Sequence, residues 1–377
     1  MKVIRVITSK ESVPRYFVPL MREFKDKRDS ELIIVGQSVD VFSQQYPWVK
    51  FVSINIERKP SFCSDIKSLY HLTKLIKKEK PDVVHSSFPK SGLLSSLAAY
   101  VCGVRIRCHT YTGQLWNDAK WPKFSFMYWC DYLISKLNTY NMTDGDEQSH
   151  FLEKNGIRAR RKKIETLGHG SFCGVDFESL SSNDRKVDTY IEAQIEGKFV
   201  FTYLARKTKD KGAIDVLDAY KEVREIKKDS ILLYIGPDES MGELEKWKKN
   251  NSLKGIVEID AVSNIYQYLD VTDVFCLPSY REGFSTILLQ SAAHGVPSIG
   301  YDVPGVSEPI KKCGSGEVVP QGNIEAFSKV MIEMSEDKRR RCEYSSLGRE
   351  NARAKFDSAI VTKTLLGKYQ ELVDASI

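Results

Sequence analysis

Short apolar runs alternate with amphipathic stretches along both halves of the chain, and this alternation constrains the fold more than any other feature. Helical patterns separate the strand-like runs of the first half, which lie at 3–8, 31–35, 82–86, 106–111 and 137–143. The second half repeats the scheme from residue 199 onward. Such alternation predicts a parallel sheet with crossover helices on its faces. A chain of 377 residues exceeds what one hydrophobic core usually supports, so we expect two α/β domains.

The predicted boundary between the domains lies in a polar stretch at 178–195 that is rich in turn-forming residues. We therefore assign residues 1–180 to an N-terminal domain and 181–356 to a C-terminal domain. A last helical pattern covers 358–374, within a C-terminal segment at 357–377.

Charge is unevenly divided between the two halves. Residues 1–190 contain 30 Lys and Arg against 21 Asp and Glu, whereas the rest of the chain contains 26 against 29. A basic half favours an anionic substrate or surface, although a solvated basic face is the plainer alternative. Nucleic acid is not predicted as a partner, because no binding motif accompanies the basic residues.

Cellular location is constrained by the cysteines and by the absence of long apolar stretches. The eight cysteines form no Cys-x-x-Cys pair and lie mostly in apolar runs, which is typical of reduced thiols in a cytoplasmic protein. No stretch is apolar for long enough to cross a bilayer, and the N-terminus does not resemble a signal peptide. We expect a cytoplasmic protein that is soluble or attached peripherally to the inner face of the cell membrane.

The most informative segment follows a predicted buried strand that ends at Pro278-Ser279. Glu282-Gly283-Phe284-Ser285-Thr286 then begins a helix whose apolar residues recur at helical spacing. In open α/β sheets, ligands bind beyond the carboxyl ends of the strands, where a helix N-terminus attracts phosphate. Gly283 allows close approach of the backbone to a ligand, and Glu282 places a carboxylate beside it.

A second strand-to-helix junction carries cations instead of a carboxylate. In Ala205-Arg-Lys-Thr-Lys-Asp-Lys-Gly212, a turn separates Arg206 from Lys211, so both side chains can point into one pocket. Arg binds phosphate oxygens in a fork and Lys acts as a point charge. The junction therefore predicts a phosphate site in the same domain as Glu282, although an isolated basic turn is more often an ordinary surface loop.

Two further junctions lie in the first domain. Phe88-Pro89-Lys90-Ser91 runs from a strand into a helix and places Lys90 where the helix N-terminus adds partial positive charge, which predicts a second anion site. A capped helix with a solvated lysine is the alternative. His109 follows another strand and precedes Gly113, a position that favours a functional histidine over a structural one.

These motifs resemble those of family-4 retaining glycosyltransferases, enzymes of the GT-B fold that take a sugar from a nucleotide donor. In that family an acidic residue precedes Gly-Phe, as Glu282 does here, and a second acidic residue follows eight positions later. That second position is Gln290 in this chain, whose amide still offers an acceptor and donors to a ribose diol. The cationic junction resembles the family's Gly-Arg-x4-Lys-Gly motif, with Ala205 in place of the first glycine.

The resemblance implies roles for the candidate residues. Two Rossmann-like domains would face each other across a cleft, and the last helix would pack back on the first domain. The implied catalytic residues are Glu282, Arg206, Lys211 and His109; the implied donor-binding residues are Gly283, Phe284, Ser285, Thr286 and Gln290. Similar Pro-Lys-x-Gly strings in members that use lipid-diphosphate-linked sugars make Lys90 and Ser91 the acceptor-binding candidates.

The implied activity is metal-independent, retaining transfer of a hexosyl or N-acetylhexosaminyl group from a nucleotide-sugar, by family frequency a UDP-sugar. The acceptor would be a saccharide on polyprenyl diphosphate, in the assembly of O-antigen, capsule or another cell-surface polysaccharide. No cofactor is expected, because the nucleotide-sugar is a substrate. A nucleotide-sugar epimerase of the same fold and a non-catalytic sugar- or lipid-binding protein remain alternatives.

Metal binding and membrane attachment depend on weaker signals. Asp144-Gly-Asp146 has the spacing of a metal-binding motif, but the helical pattern after it favours a helix start, so no metal is predicted. The aromatic stretch 121–129 and the basic run 158–163 are typical of segments that contact an anionic membrane. A core helix and a surface loop are the plainer interpretations of those two segments.

Overall fold

The structure is a computed structural model and describes residues 1–27, 29–57, 61–114, 116, 123–158, 164–180, 187–251 and 254–376. The chain divides into two compact units. Residues 1–174 and 358–377 form the first unit, and residues 175–357 form the second.

The first unit alternates strands and helices. Its strands are β1 (Lys2–Ser9), β2 (Glu31–Gln37), β3 (Lys50–Ser53), β4 (Val83–Ser87), β5 (Ile106–Tyr111), β6 (Tyr140–Thr143) and β7 (Glu165–Thr166). The helices between them are α1 (Val18–Lys25), α2 (Phe62–Glu79), α3 (Pro89–Val101), α4 (Lys123–Leu137) and α5 (Asp146–Lys154). Within the described ranges the strands form a seven-stranded parallel sheet in the order β3-β2-β1-β4-β5-β6-β7.

The second unit repeats this architecture. Its strands are β8 (Phe199–Leu204), β9 (Ser230–Ile235), β10 (Ile256–Ile259), β11 (Val274–Leu277), β12 (Ser298–Tyr301) and β13 (Gly316–Val319). Its helices are α6 (Phe177–Leu180), α7 (Thr189–Ile195), α8 (Ala213–Ile226), α9 (Glu243–Asn250), α10 (Tyr266–Leu269), α11 (Thr286–His294), α12 (Ser307–Cys313), α13 (Ile324–Glu336) and α14 (Lys338–Phe356). Among the residues described, six parallel strands follow the order β10-β9-β8-β11-β12-β13.

Apolar residues on both faces of the central strands explain why each sheet is covered by helices on both sides. In β1, Val3 and Ile7 belong to one core cluster and Ile4 and Val6 to another, on the opposite face. A parallel sheet of this kind buries both faces. The last helix, α15 (Ser358–Asp374), lies in the first unit, where its Tyr369 is fully buried.

Several predicted bounds differ from the structure. The strand predicted at 137–143 begins only at Tyr140, because α4 continues to Leu137. The predicted linker contains α6 and α7, and the second unit begins at Val175. Four strands were not predicted, β3 and β7 in the first unit and β12 and β13 in the second.

Candidate functional site

The strand order places one reversal point in each sheet. In the second unit β8 has β9 on one side and β11 on the other, so the chain leaves β8 and β11 toward opposite directions of the sheet. Such a reversal opens a crevice at the carboxyl ends of the two strands, where open α/β sheets bind ligands. The loop after β8 carries the cationic junction, and the loop after β11 carries Glu282.

These two loops are in direct contact. The Tyr280 backbone amide donates to the Asp210 carbonyl at 2.9 Å, and the Ser279 hydroxyl donates to the same carbonyl at 3.2 Å. A Cβ atom on Gly212, which has a φ of +64°, would lie only 1.9 Å from the Pro278 carbonyl oxygen. Only glycine fits this position, because it tolerates both the left-handed backbone and the close approach.

Lys211 and Glu282 lie side by side in this crevice. The Lys211 Nζ atom lies 2.8 Å from Glu282 Oε1 and donates to the Arg281 carbonyl at 3.3 Å. Both side chains are largely shielded, with exposed fractions of 14% and 21%. A partly desolvated cation is a stronger partner for an anion than a solvated one.

Arg206 is more exposed than Lys211. Its Nη1 atom lies 2.8 Å from Glu239 Oε2, and the two side chains are 39% and 50% exposed. Its backbone is fixed, because the buried Tyr203 hydroxyl donates to the carbonyls of Arg206, at 2.9 Å, and of Lys211, at 3.3 Å. The two cations therefore flank one turn, whose backbone is fixed by hydrogen bonds from the Tyr203 hydroxyl.

The acidic residue between them shows that the cations act on a common region. Burial alone would raise the pKa of Asp210, but the hydrogen bond from Thr208 opposes it. The charges of Arg281, Lys211 and Arg206 oppose it as well, so the pKa of Asp210 is lowered. Arg281 also forms an ion pair with Asp210 at 2.9 Å, which adds a third cation to the crevice.

Helix α11 begins at Thr286, shortly after Glu282 and Gly283. Ser285 is its N-cap residue, but the Ser285 side chain makes no capping hydrogen bond to the helix amides, and its buried Oγ atom has no hydrogen-bond partner among the residues that the structure describes. The first amides of a helix lack partners within the helix, so they and the Ser285 hydroxyl can donate to a phosphate. The Phe284 side chain packs on Phe356 in the core, so only its backbone can contact a ligand.

Gln290 lies one turn further along α11. Its Nε2 atom donates to the Tyr266 hydroxyl at 3.3 Å, and the residue is half-buried. The amide oxygen of Gln290 is the acceptor that a ribose hydroxyl would use.

The first unit places the acceptor candidates at its own reversal point, between β1 and β4. Lys90, in the first turn of α3, lies 2.6 Å from Asp65 of α2. Ser91 is fully buried, and its hydroxyl donates to carbonyls of the preceding turn while accepting from Thr8 at 3.4 Å. Both side chains thus already have partners, a carboxylate for Lys90 and backbone carbonyls for Ser91.

His109 is 1% exposed and lies under the first turn of α3. Its Nδ1 atom lies 2.9 Å from the Ser86 hydroxyl, and a Cβ atom on Gly92 would lie 2.5 Å from its Cε1 atom. Burial, together with the charge of Arg5, lowers the pKa of His109 to about 3. The imidazole is therefore neutral at physiological pH and is a weak proton acceptor in this environment.

The described parts of the chain offer no clear metal site and no membrane-spanning helix. They contain no group of three or more His, Cys, Asp or Glu residues arranged to hold a metal ion, and Gly145, between Asp144 and Asp146, is the N-cap of α5. None of the helices described is both long and apolar enough to span a bilayer. Of the two predicted membrane-contacting segments, 121–122 and 159–163 lie outside the described residues.

Sequence reasoning missed the residues that pair with the predicted cations. Glu239 pairs with Arg206, Asp65 pairs with Lys90, and Arg281 pairs with Asp210. A search of every loop that follows a strand of one sheet would have found Glu239, which follows β9. No sequence signal connects Asp65 with Lys90, because they lie on different helices.

The known proteins that this chain resembles in sequence are glycosyltransferases. Residues 185–352 match the family model described as glycosyl transferases group 1. The capsular polysaccharide biosynthesis glycosyltransferase CapM of Staphylococcus aureus is 28% identical over all of this chain and 98% of its own. The UDP-Gal:alpha-D-GlcNAc-diphosphoundecaprenol alpha-1,3-galactosyltransferase of Escherichia coli is 28% identical over 74% of this chain and 73% of its own.

Solved structures confirm the predicted fold class. Sucrose-phosphate synthase of Thermosynechococcus elongatus superposes with a TM-score of 0.79 at 16% identity, and each chain is covered completely. Anabaena HepE, solved with UDP and glucose, superposes with a TM-score of 0.78 at 13% identity over 98% of this chain and all of its own. The chain therefore has two Rossmann-like parallel-sheet domains of the GT-B type.

Proposed function

We propose that this protein is a retaining glycosyltransferase that moves a sugar from a nucleotide donor, a UDP-sugar, to a saccharide on polyprenyl diphosphate during cell-surface polysaccharide assembly. The transferred group is a hexosyl or N-acetylhexosaminyl group, and no metal takes part. The observation that carries this proposal is the shielded Lys211–Glu282 pair, 2.8 Å apart, beside the N-terminus of α11.

Charge placement in the crevice suits a departing diphosphate. As the glycosyl bond breaks, negative charge develops on the diphosphate oxygen, and fixed positive groups at that point lower the barrier. Lys211, Arg206 and the first amides of α11 are these groups. The donor diphosphate replaces the Glu282 carboxylate on Lys211, which leaves Glu282 to accept from hydroxyls of the transferred sugar.

The remaining donor contacts follow from the positions of the neighbouring residues. Gly283 and Thr286 present their backbone amides to the diphosphate and Phe284 adds only its amide, whereas Ser285 offers its hydroxyl, because its own amide donates to the Gly305 carbonyl at 2.9 Å. Gln290 binds the ribose hydroxyls. Glu239 pairs with Arg206 in the absence of donor. The donor phosphate replaces the Glu239 carboxylate on Arg206, just as it replaces Glu282 on Lys211.

Transfer to the acceptor requires a proton to leave the attacking hydroxyl. The low pKa of His109 makes it a poor acceptor for that proton, so we assign the proton to the departing diphosphate itself. Attack then occurs on the face from which the diphosphate leaves, and the anomeric configuration is retained. His109 supports the first turn of α3, where Lys90 binds the acceptor diphosphate.

Relatives support the acceptor class. The names of the E. coli relative and of a Campylobacter jejuni relative, 21% identical over 96% of each chain, both specify a sugar on diphosphoundecaprenol as the acceptor. The C. jejuni name specifies N-acetylgalactosaminyl transfer and the E. coli name galactosyl transfer. Both transferred groups fall within the proposed class.

The proposal is tested by incubating the protein with UDP-, GDP- and dTDP-sugars and a set of polyprenyl-diphosphate-linked saccharides in the presence of a metal chelator. Mass spectrometry should detect an extended lipid-linked saccharide from a UDP-sugar, and the anomeric coupling constant of the product should match that of the donor. An inverted product would contradict retention. Epimerised donor without any acceptor would favour an epimerase, and absence of nucleotide affinity by calorimetry would favour a non-catalytic binding protein.

A further inference from the structure

A charged residue lies in the interior of the first unit without an acidic partner. Arg5 of β1 is 2% exposed, and among the residues that the structure describes no carboxylate forms an ion pair with it. The guanidinium carbon lies 5.1 Å from the centroid of the Phe17 ring and 5.7 Å from that of Phe172, and these two aromatic faces offset part of the cost of burial. A buried charge is costly unless an opposite charge balances it, so the position favours an anionic partner.

Neutral groups accept most of the hydrogen bonds that the Arg5 guanidinium donates. Its Nη1 atom donates to His85 Nδ1 and, at 2.9 Å, to the Tyr369 hydroxyl of α15, and its Nη2 atom donates to the Ser87 hydroxyl at 3.0 Å. Burial, together with the charge of Arg5, holds the pKa of His85 well below its ordinary value, so this imidazole is uncharged. The buried Nε atom of Arg5 has no hydrogen-bond partner in the described structure. One donor of the cation is therefore left over.

A small cavity of about 30 Å³ lies beside this cation. Arg5 and His85 of the sheet, the hydroxyl-bearing residues Thr110 and Ser171, and Leu365 of α15 are among the residues that line it. No Asp or Glu belongs to the described part of its wall. The volume suits about two water molecules or one small inorganic anion, and it excludes a sugar or a nucleotide.

Two hydroxyl groups of the cavity wall have hydrogens that they can donate. His85 Nδ1 accepts from Arg5, because a guanidinium has no acceptor, so the proton of the neutral ring lies on Nε2. That Nε2 atom lies 2.8 Å from Thr110 Oγ1, so the Thr110 oxygen accepts there and its own hydrogen stays available. Ser171 Oγ likewise accepts from the Gly174 amide at 3.0 Å. Three residues of one cavity wall thus each offer a donor without a described acceptor.

We propose that this cavity is a binding site for a small monovalent anion, with chloride as its simplest occupant, which supplies the missing counter-charge of Arg5. One negative charge balances the one buried cation, whereas a divalent anion would add an uncompensated charge. The site joins the sheet to α15, because Leu365 lines the cavity and Tyr369 accepts from the same guanidinium. Binding to the folded state alone therefore stabilises the first unit, independently of sugar transfer.

The first test measures stability in solution. Urea denaturation of the full-length protein is followed in sodium chloride and in sodium gluconate at equal ionic strength, because gluconate is too large for the cavity. Chloride should stabilise the wild type in a saturable manner. At about ten times its dissociation constant it should lower the unfolding equilibrium constant by about 11-fold relative to gluconate.

Substitutions in the cavity wall assign the effect to this site. Thr110→Val keeps the shape of the side chain but removes its donor, and it should weaken chloride binding by at least about 10-fold. Ser171→Gly removes the second hydroxyl, suits the φ of +72° at that position, and should act in the same direction even where Thr110→Val does not fold. Arg5→Met should abolish the chloride response. The matched control is Thr202→Val, which changes a fully buried threonine of the second unit and should respond to chloride like the wild type.

A second test locates the anion directly. Crystals of the wild type soaked in sodium bromide, which replaces chloride and scatters anomalously, should show an anomalous difference peak beside Arg5 Nε that is lost in Arg5→Met. A wild type without this peak, or one equally stable in chloride and gluconate, would mean that the cavity holds water and would overturn the proposal. A peak without any effect in solution would mean binding at crystal concentration only and would overturn it too. So would a chloride response that Thr110→Val and Ser171→Gly leave unchanged.

Discussion

The two candidate anion sites occupy equivalent places in their sheets but are held in different ways. In the second unit, Lys211 and Glu282 lie on two loops that are joined by a backbone hydrogen bond from Tyr280 to Asp210 and that touch at Gly212 and Pro278. In the first unit, the Lys90–Asp65 corner joins two helices through one ion pair. A site fixed by its backbone suits one invariant chemical group, such as a diphosphate. A site held by side chains can change its specificity through a single substitution. Under the proposed function, this suits an acceptor site, because enzymes that build different polysaccharides need different acceptors.

The largest expected effect tests the backbone-held corner. Lys211→Ala should reduce transfer by about 10³-fold, since it removes a shielded cation from the departing diphosphate and leaves Glu282 without its partner. Lys209→Ala changes an exposed lysine in the same turn and should be nearly neutral. Steady-state kinetics with saturating acceptor measures both. Equal activity of the two variants would mean that the corner does not bind the donor.

Arg206→Ala should reduce transfer by about 10²-fold, less than Lys211→Ala because Arg206 is more exposed. Glu239→Gln provides a sharper comparison, as it frees Arg206 from its ion pair without removing the cation. We expect tighter UDP binding by calorimetry for Glu239→Gln and weaker binding for Arg206→Ala. Weaker binding for both would indicate that Glu239 itself contacts the nucleotide.

Lys90→Ala probes the corner held by side chains. We expect the KM for the lipid-linked acceptor to rise by about 10-fold, in keeping with the loss of one charge-assisted contact, while the KM for the donor stays unchanged. Asp65→Asn should lower the acceptor KM, because Lys90 no longer has a competing carboxylate. A change in the donor KM with either variant would contradict the assignment of Lys90 to the acceptor site.

Gln290→Glu should keep transfer within about threefold of the wild type, because either side chain offers an oxygen to the ribose hydroxyls. Donor kinetics measures the effect. An inactive Glu variant would mean that the amide group, which donates to Tyr266, has a role beyond ribose binding.

The smallest expected effect is on stability and concerns His109, whose pKa is lowered to about 3 by burial and by the charge of Arg5. Between that value and the ordinary pKa of about 6.5, the unfolded chain binds a proton that the folded chain does not. This histidine therefore makes the free energy of unfolding fall as the pH falls through that window, by about 1.4 kcal/mol per pH unit. Urea denaturation at several pH values should show a shallower dependence for His109→Gln, and an unchanged slope would contradict the neutral assignment.

Sequence patterns predicted the parts of the molecule that depend on local periodicity. The alternation of strands and helices identified two parallel-sheet domains, and the predicted last helix, 358–374, has the bounds of α15. The closeness of Lys211 and Glu282 was also predictable, because they follow two strands, β8 and β11, that lie next to each other in the sheet.

The remaining features depend on contacts between distant segments. Burial of His109 comes from α3 lying across the end of β5, which its own neighbourhood in sequence does not reveal. Likewise, spacing alone does not separate the exposed side of α2 from its buried side, because apolar residues at helical spacing lie on both, exposed at Phe62 and Ile66 and buried at Leu72 and Ile76.

The position of α15 bears on how the polypeptide is made. Residues 1–174 emerge from the ribosome long before Tyr369, whose hydroxyl accepts from the buried Arg5 guanidinium at 2.9 Å. The whole second unit is synthesised in the interval and can fold independently of that contact. The core of the first unit is therefore complete only once the last segment of the chain has been synthesised.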